Sequence, residues 1–272
     1  MDKIRFKEAC DKVVYGTQSG NVLDMQGIGN QRVPMQGIGT QSVPIQGIGT
    51  LKEKTLHAVL KLYFEPDITC HEKKIGSFVA DVVTDNGIIE IQTRAFNNLR
   101  RKLTEFLGTS KVTLVYPLPK TKWLIWIDEQ TGEITKKRKS PKQGSLYDAV
   151  DELYKIRLLL NHPNIQIHIV FINMEEYRYL NGWSHDKKRG STRYNRIPVE
   201  LADEIVIKSA ADYRKFIPDG LQLQFTTKDF KAAAGIHLHK AQTLLNILFY
   251  VGAVKRVGKQ GNMHIYERGL NV

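Results

Sequence analysis

Two acidic residues and an amide lie at alternating positions on either side of a turn signal. Asp81 precedes Asn86-Gly87, and Glu90 and Gln92 follow it. Asparagine followed by glycine favours a two-residue β-hairpin turn, which would pair Asp81 with Gln92. This register predicts that Asp81, Glu90 and Gln92 share one face of the hairpin. The opposite face would carry only apolar side chains: Phe78, Ala80, Val82, Ile89 and Ile91.

Carboxylates that share a face of two paired strands repel each other by about 0.2–1 kcal/mol, and a cation relieves that repulsion. Oxygen ligands without nearby sulfur or imidazole suit Mg²⁺ or Mn²⁺, which can activate a water and neutralise charge on a phosphodiester. We therefore predict Asp81 and Glu90 as metal ligands, with Glu53 as a third carboxylate from the preceding helix. Two alternatives stay open. The first is that Asp81 and Glu90 are ordinary polar positions of a solvated strand pair. The second is that Glu53 forms a capping box with Thr50 and is not a ligand.

The elements that must position these residues follow from the spacing of apolar side chains. Helices are predicted before and after the hairpin, the first over residues 51–64 and the second with Leu99, Leu103 and Phe106 on its buried stripe. Further strands are predicted at 111–116, 123–128 and 166–172, and a helix at 146–160. This order predicts an α/β fold with a mixed sheet flanked by helices.

This arrangement of residues and elements resembles the PD-(D/E)XK nuclease superfamily, which has the restriction-endonuclease-like fold. The resemblance covers residues 49–173, and the Glu-Ile-Gln-Thr strand is also similar to that of an uncharacterised bacterial group of two-domain proteins. It implies that Asp81 is the motif aspartate, Glu90 the second metal ligand and Glu53 the helix glutamate. Gln92 stands where the superfamily usually has lysine, as in its Glu-x-Gln variants. A glutamine can orient a water or a phosphate but cannot supply a positive charge.

A formal net charge of +12 in 272 residues favours a polyanionic partner. We predict DNA, most simply duplex DNA, with RNA left open, and we expect Arg94, Arg100 and Arg101 to contact its backbone. With 42% hydrophobic and 25% charged residues, disorder throughout is excluded. The sequence has two cysteines and no apolar run long enough to span a bilayer, so a cytoplasmic protein without a membrane partner is expected.

The last part of the chain resembles a winged helix-turn-helix. A short helix ended by Gly235, a longer helix over 239–251 and a hairpin over 253–266 with a basic tip follow one another. We predict that Lys240 and Gln242 of the longer helix and Arg256 and Lys259 of the wing contact DNA. The alternative is that this segment serves for homodimerisation.

Three segments are therefore predicted: a leader with decapeptide repeats over 1–48 that is partly flexible, a nuclease-like α/β domain over 49–207 and a winged helix-turn-helix domain over 208–272. The predicted function is metal-dependent hydrolysis of DNA, in which Glu53, Asp81, Glu90 and Gln92 are the catalytic residues. The alternative is a non-catalytic DNA-binding or regulatory protein with a degenerate nuclease domain. The histidines, His57 among them, lack the spacing of a metal site or a triad and are interpreted as structural or surface residues.

Overall fold

A computed structural model describes residues 2–16, 55–182 and 192–269. Its helices are α1 (Lys3–Tyr15), α2 (Thr55–Phe64), α3 (Arg100–Leu107), α4 (Val150–Lys155), α5 (Thr227–Ala234) and α6 (Leu238–Tyr250). Its strands are β1 (His71–Ile75), β2 (Phe78–Thr84), β3 (Gly87–Ile91), β4 (Val112–Ile127), β5 (Arg138–Lys139), β6 (Ile165–Tyr179), β7 (Arg193–Ile207), β8 (Gln224–Thr226), β9 (Val254–Gln260) and β10 (Met263–Arg268).

Strands β1 to β7 form one sheet in the order β1-β2-β3-β4-β6-β7, with β5 beside the distal part of β4. The pairs β3 with β4 and β4 with β6 are parallel, and the remaining pairs are antiparallel. Helices cover both faces, because the successive residues Leu114 and Val115 belong to different apolar clusters. One cluster contains side chains of α3 and α4, and the other contains side chains of α1 and α2. This confirms the predicted mixed α/β sheet flanked by helices.

The hairpin of β2 and β3 has a different register from the predicted one. Thr84 pairs with Gly87 and Val82 with Ile89, so Asp85-Asn86 is the turn and the pairing is shifted by two residues. The Thr84 hydroxyl accepts a hydrogen bond from the Asn86 N–H at 3.2 Å and donates one to the Gly87 carbonyl at 3.1 Å, which fixes this turn. Gly87 is needed for another reason: a Cβ there would lie 2.4 Å from the Lys111 carbonyl oxygen. A shift of two residues leaves Asp81 and Glu90 on the same face.

The prediction of one polar and one apolar hairpin face is wrong in part. Ile88 lies two residues from Glu90, on the same side of β3, and is buried in the cluster that contains α3. Ile91 is buried in the opposite cluster, against α1 and α2. The sheet is covered on both sides, so Glu90 lies in a protein interior and not on a solvated strand face.

Several elements differ in extent from the sequence predictions. Strands 111–116 and 123–128 are one strand, β4, with an irregularity between Pro119 and Lys122, and β6 continues seven residues beyond its predicted end at Ile172. The predicted helix at 146–160 is a short α-helix between two 3₁₀ turns. Helix α1 was not predicted, although Phe6, Ala9 and Cys10 are buried. The decapeptide repeats and the Thr50–Glu53 capping box lie outside the described residues.

The C-terminal elements follow the predicted order. Gly235, with φ +63°, ends α5, and after α6 the strands β9 and β10 form an antiparallel hairpin. β8 adds to β10, so a small sheet β8-β10-β9 accompanies the two helices. Leu244 and Leu248 of α6 belong to the same apolar cluster as Leu153 of α4. In the described ranges no helix combines the length and the apolar character needed to cross a bilayer.

Candidate functional site

Asp81 and Glu90 meet at the end of the β2–β3 ladder, whose last pair on that side is Val82 with Ile89. Beyond that pair the Asp81 side chain replaces the backbone as the partner of β3, because its Oδ2 accepts a hydrogen bond from the Ile91 N–H at 2.7 Å. The register and this bond together place the two carboxylates on neighbouring strands at one point. The structure thus brings together two of the predicted site residues.

His57, on α2, holds the Asp81 carboxylate from the other side. Its Nε2 lies 3.2 Å from Asp81 Oδ2 and 3.2 Å from the carbonyl oxygen of Ile91, so a proton on Nε2 has two acceptors. Burial opposes ionisation of Asp81, but the hydrogen bond and charge of His57, the Ile91 N–H and the charge of Lys102 outweigh it, and the Asp81 pKa is lowered. Asp81 is therefore a fixed, ionised carboxylate at neutral pH.

The pKa of Glu90 is shifted in the opposite direction from that of Asp81. It is 2% exposed, and burial, followed by the charge of Asp81, raises its pKa to about 7 despite the ion pair with Lys102. The ion pair joins Lys102 Nζ to Glu90 Oε1. Glu90 Oε2 is buried and has no hydrogen-bond partner within the described part of the chain. An unsatisfied buried carboxylate oxygen is costly unless a cation or a proton occupies it.

Lys102 is the residue that the sequence analysis missed. It lies on α3, three residues after Leu99 and four before Phe106, so the helix repeat places it beside the buried stripe. Its Nζ lies 5.6 Å from the centroid of the Phe106 ring, and its side chain is 16% exposed. This spacing is visible in the sequence, but the adjacent Arg100 and Arg101 are typical of a solvated helix face.

Gln92 does not join the two carboxylates. Its side-chain Nε2 donates to the Arg94 carbonyl oxygen at 2.6 Å, while its backbone N–H continues the pairing with β4. The basic side chain that contacts Glu90 is Lys102. Arg94 and Arg101 are exposed, and Arg100 donates from Nε to the Lys155 carbonyl oxygen at 2.6 Å.

The residues that could hold a metal ion are Asp81 and Glu90. In residues 2–16, 55–182 and 192–269, no three or more His, Cys, Asp or Glu side chains are grouped as a metal site. Glu53, the predicted third carboxylate, lies outside these ranges. One or two carboxylates are what Mg²⁺ commonly takes from a protein, with waters and substrate phosphate completing its shell. The partnerless Oε2 of Glu90 beside the ionised Asp81 fits such a hard cation.

The four predicted C-terminal contact residues differ in their surroundings. Lys240 forms an ion pair with Asp151 of α4, with 3.3 Å between Nζ and Oδ2. The Arg256 guanidinium lies 4.2 Å from the Phe249 ring centroid. Gln242 and Arg256 line a cleft of about 760 Å³ among α4, α6 and the β9–β10 hairpin. Lys259 is exposed on β9.

Comparison with known proteins covers the same part of the chain. A protein-family model described as "Domain of unknown function (DUF8091)" matches residues 54–208, which contain both carboxylates and Lys102. An uncharacterized protein of Treponema pallidum (strain Nichols) is 30% identical over 164 residues, which are 60% of this chain and 62% of that relative. The chain thus covers less than two thirds of that relative's length. No solved structure matches the chain.

Proposed function

The chain belongs to the DUF8091 family, and from the site in the matched region we propose that it is a metal-dependent phosphodiesterase that hydrolyses DNA. The observation that carries this proposal is the convergence of Asp81 and Glu90 with Lys102 where β2 and β3 separate. Two carboxylates and a lysine at a strand end are the residue types that the PD-(D/E)XK resemblance implies, with Lys102 of α3 in place of the lysine that Gln92 replaces.

Asp81 and Glu90 would hold Mg²⁺ or Mn²⁺, and Glu53 is the predicted third ligand. When bound, such an ion supplies an activated water and neutralises charge on the phosphodiester. The protein's own groups have separate roles. Lys102 places a positive charge beside Glu90, where it can stabilise charge that develops on a phosphate. His57 and the Ile91 N–H keep the Asp81 carboxylate fixed and ionised.

The proposed substrate is DNA because the chain carries a net charge of +12 and because of the C-terminal elements. Helix α5, the turn at Gly235, helix α6 and the β9–β10 hairpin follow one another as in a winged helix-turn-helix. We propose that this region places the enzyme on duplex DNA. Arg94, Arg100 and Arg101 are the proposed backbone contacts near the carboxylates.

The test is cleavage by the purified full-length chain. Supercoiled plasmid, linear duplex and single-stranded RNA are incubated with Mg²⁺ or Mn²⁺, and parallel samples contain EDTA. We expect metal-dependent cleavage of DNA that Asp81→Asn and Lys102→Ala abolish, while Lys102→Arg keeps part of it. Lys111→Ala, which changes an exposed lysine before β4, is the matched control and should cleave normally. Cleavage that persists in both Asp81→Asn and Lys102→Ala would exclude this site.

Two observations favour a second candidate, a non-catalytic DNA-binding or regulatory protein. Lys102 already forms an ion pair with Glu90 through Oε1, and the Gln92 side chain donates to the Arg94 carbonyl oxygen. In that case the wild type binds DNA without cleaving it under any metal condition, and Asp81→Asn leaves its DNA affinity unchanged. The cleavage and binding assays together separate the two candidates.

A further inference from the structure

Four basic side chains surround a single buried carboxylate on the distal part of the large sheet. Glu176 of β6 has no exposed side-chain surface, and it forms ion pairs with Lys122 of β4, Arg178 of β6 and Arg193 and Arg196 of β7. We call these four residues the cation cluster. Because one carboxylate balances one cation, the cluster keeps a large positive excess.

The pairing of the strands explains why these residues converge. Glu176 pairs with Leu124 on one side and Arg196 on the other, and Arg178 pairs with Trp126 and Arg193. Directly paired residues point to the same face of a sheet, as do residues two apart in one strand. An irregularity in β7, opposite Tyr177 and Arg178, brings Arg193 as well as Arg196 to this face.

The cluster is not satisfied by Glu176 alone. Nε of Arg193 is buried and has no hydrogen-bond partner among the described residues; it lies 3.5 Å from Glu176 Oε2. Burial, followed by the charge of Arg196, lowers the pKa of Arg193, and burial also lowers the pKa of Lys122. An arrangement that held Glu176 only for stability would need fewer cations, because each additional buried cation adds desolvation cost and repulsion.

The cluster opens into a cleft of about 660 Å³. Lys122 and Arg178 line the cleft together with Trp126, whose half-buried ring offers an apolar surface beside the charges. Two acidic residues at the cleft are already paired, Asp148 with Lys142 and Asp151 with Lys240. Cations with aromatic neighbours are the usual surroundings of a nucleic-acid strand, whose phosphates need charge and whose bases stack on rings.

One basic residue that follows β3 lies within electrostatic range of the cation cluster. Arg94 follows β3, its carbonyl oxygen accepts the hydrogen bond from Gln92, and its charge acts on Arg193. Arg94 therefore adds to the positive charge around Arg193.

We propose that Lys122, Arg178, Arg193 and Arg196 form a phosphate-binding site that holds a backbone phosphate of a polynucleotide. The choice of a polynucleotide over a small phosphate compound rests on the proposed function, whereas the phosphate chemistry rests on the cluster alone. Glu176 acts as a positioning residue, because its two oxygens keep the guanidinium groups of Arg178 and Arg196 in place.

The experiment measures binding without hydrolysis. Fluorescence anisotropy of labelled single-stranded and duplex oligonucleotides is followed with the full-length chain in EDTA, over a series of salt concentrations. Arg193→Gln and Arg178→Gln should each weaken binding about tenfold and reduce the salt slope by about one phosphate contact. Lys208→Ala, an exposed lysine just beyond the opposite end of β7, is the matched control and should bind as wild type does.

Two further measurements separate the outcomes. Inorganic phosphate and a mononucleotide are added as competitors, and efficient displacement at low concentration would assign the site to a small phosphate compound and overturn the polynucleotide. Melting curves of each variant show whether it is folded. A folded Arg193→Gln with unchanged affinity and unchanged slope would overturn the phosphate site. Because the assay contains EDTA, a chain that binds as expected but never cleaves contradicts the proposed hydrolysis and leaves this site standing.

Discussion

Glu90 of β3 and Glu176 of β6 are both buried glutamates of one sheet, yet their pKa values are shifted in opposite directions. Glu90 has Lys102 as its cationic partner and a second carboxylate beside it, and its pKa is raised to about 7. Burial raises the pKa of Glu176 too, but Lys122, Arg196 and Arg178 outweigh it, and the pKa falls to about 2. The neighbours therefore decide the charge state at equal burial. The first site has one lysine beside two carboxylates and suits a cation, and the second has four cations around one carboxylate and suits an anion.

The largest expected effect comes from removing the carboxylate of the second site. Glu176→Gln leaves four cations around a neutral amide, and breaking such a buried network costs about 3–5 kcal/mol of unfolding free energy. Urea denaturation measures the loss, and Glu133→Gln, in an exposed turn, is the control with no expected change. Polyphosphate should restore part of the lost stability. A loss below about 1 kcal/mol would mean that solvent already screens these charges and would remove the contrast with Glu90.

A divalent cation should act at the first site and not at the second. A ligand that binds only the native state stabilises it by RT ln(1 + [L]/Kd), about 2.7 kcal/mol at a hundred times Kd. Saturating Mn²⁺ should therefore raise the melting temperature of the wild type, and Asp81→Ala should abolish that rise. Glu176→Gln, whose stability without metal is lower, should keep a similar Mn²⁺ increment. An equal Mn²⁺ response in wild type and Asp81→Ala would place the metal elsewhere.

The pH dependence of stability should have opposite signs at the two glutamates. The pKa of Glu90 in the folded chain, about 7, lies above its ordinary value of 4.5, so the native state holds this proton more tightly. The bound proton of Glu90 therefore adds to the free energy of unfolding, on the order of 1–3 kcal/mol. This contribution is complete below about pH 4.5 and is lost as pH rises through 7. Glu176 contributes above pH 4.5 and loses its contribution as pH falls towards 2. Urea titrations in EDTA of wild type and Glu90→Gln test the first half: the variant should be less sensitive between pH 5 and 7, and an identical profile would contradict the raised pKa.

Part of this comparison was predictable from the sequence. Asp81 and Glu90 were identified because a strand repeat of two and a turn signal constrain residues that are near in sequence. The exact register was wrong because Thr84, and not Gly87, sets the turn. The error did not change which face of the hairpin carries the two carboxylates, because the shift was an even number of residues.

The remaining parts depend on tertiary contacts. Lys102 reaches Glu90 only because α3 packs across the sheet. Its helical position places it beside the buried stripe but does not identify Glu90 as its partner. The cation cluster joins residues of β4, β6 and β7, more than fifty positions apart in sequence between Lys122 and Glu176. The predicted end of β6 at Ile172 also left Glu176 outside any strand. Long-range pairing and strand irregularities of this kind are not encoded in short sequence windows.

The smallest expected effect concerns the C-terminal region, where the two predicted wing residues should differ. Lys259 is exposed, whereas Arg256 lies over the Phe249 ring and donates to Asn246 Oδ1 at 3.3 Å. If the wing contacts duplex DNA, Lys259→Ala should lower the salt slope by about one contact with no change in melting temperature. Arg256→Ala should also lower the unfolding free energy, by about 0.5–1 kcal/mol, because it loses the cation–π contact.

Salt-dependent anisotropy and urea denaturation of both variants separate these effects. If both slopes equal that of the wild type while Arg193→Gln reduces it, the DNA contact lies on the cation cluster and not on the wing, and the dimerisation alternative for this region is then tested by sedimentation of the full chain.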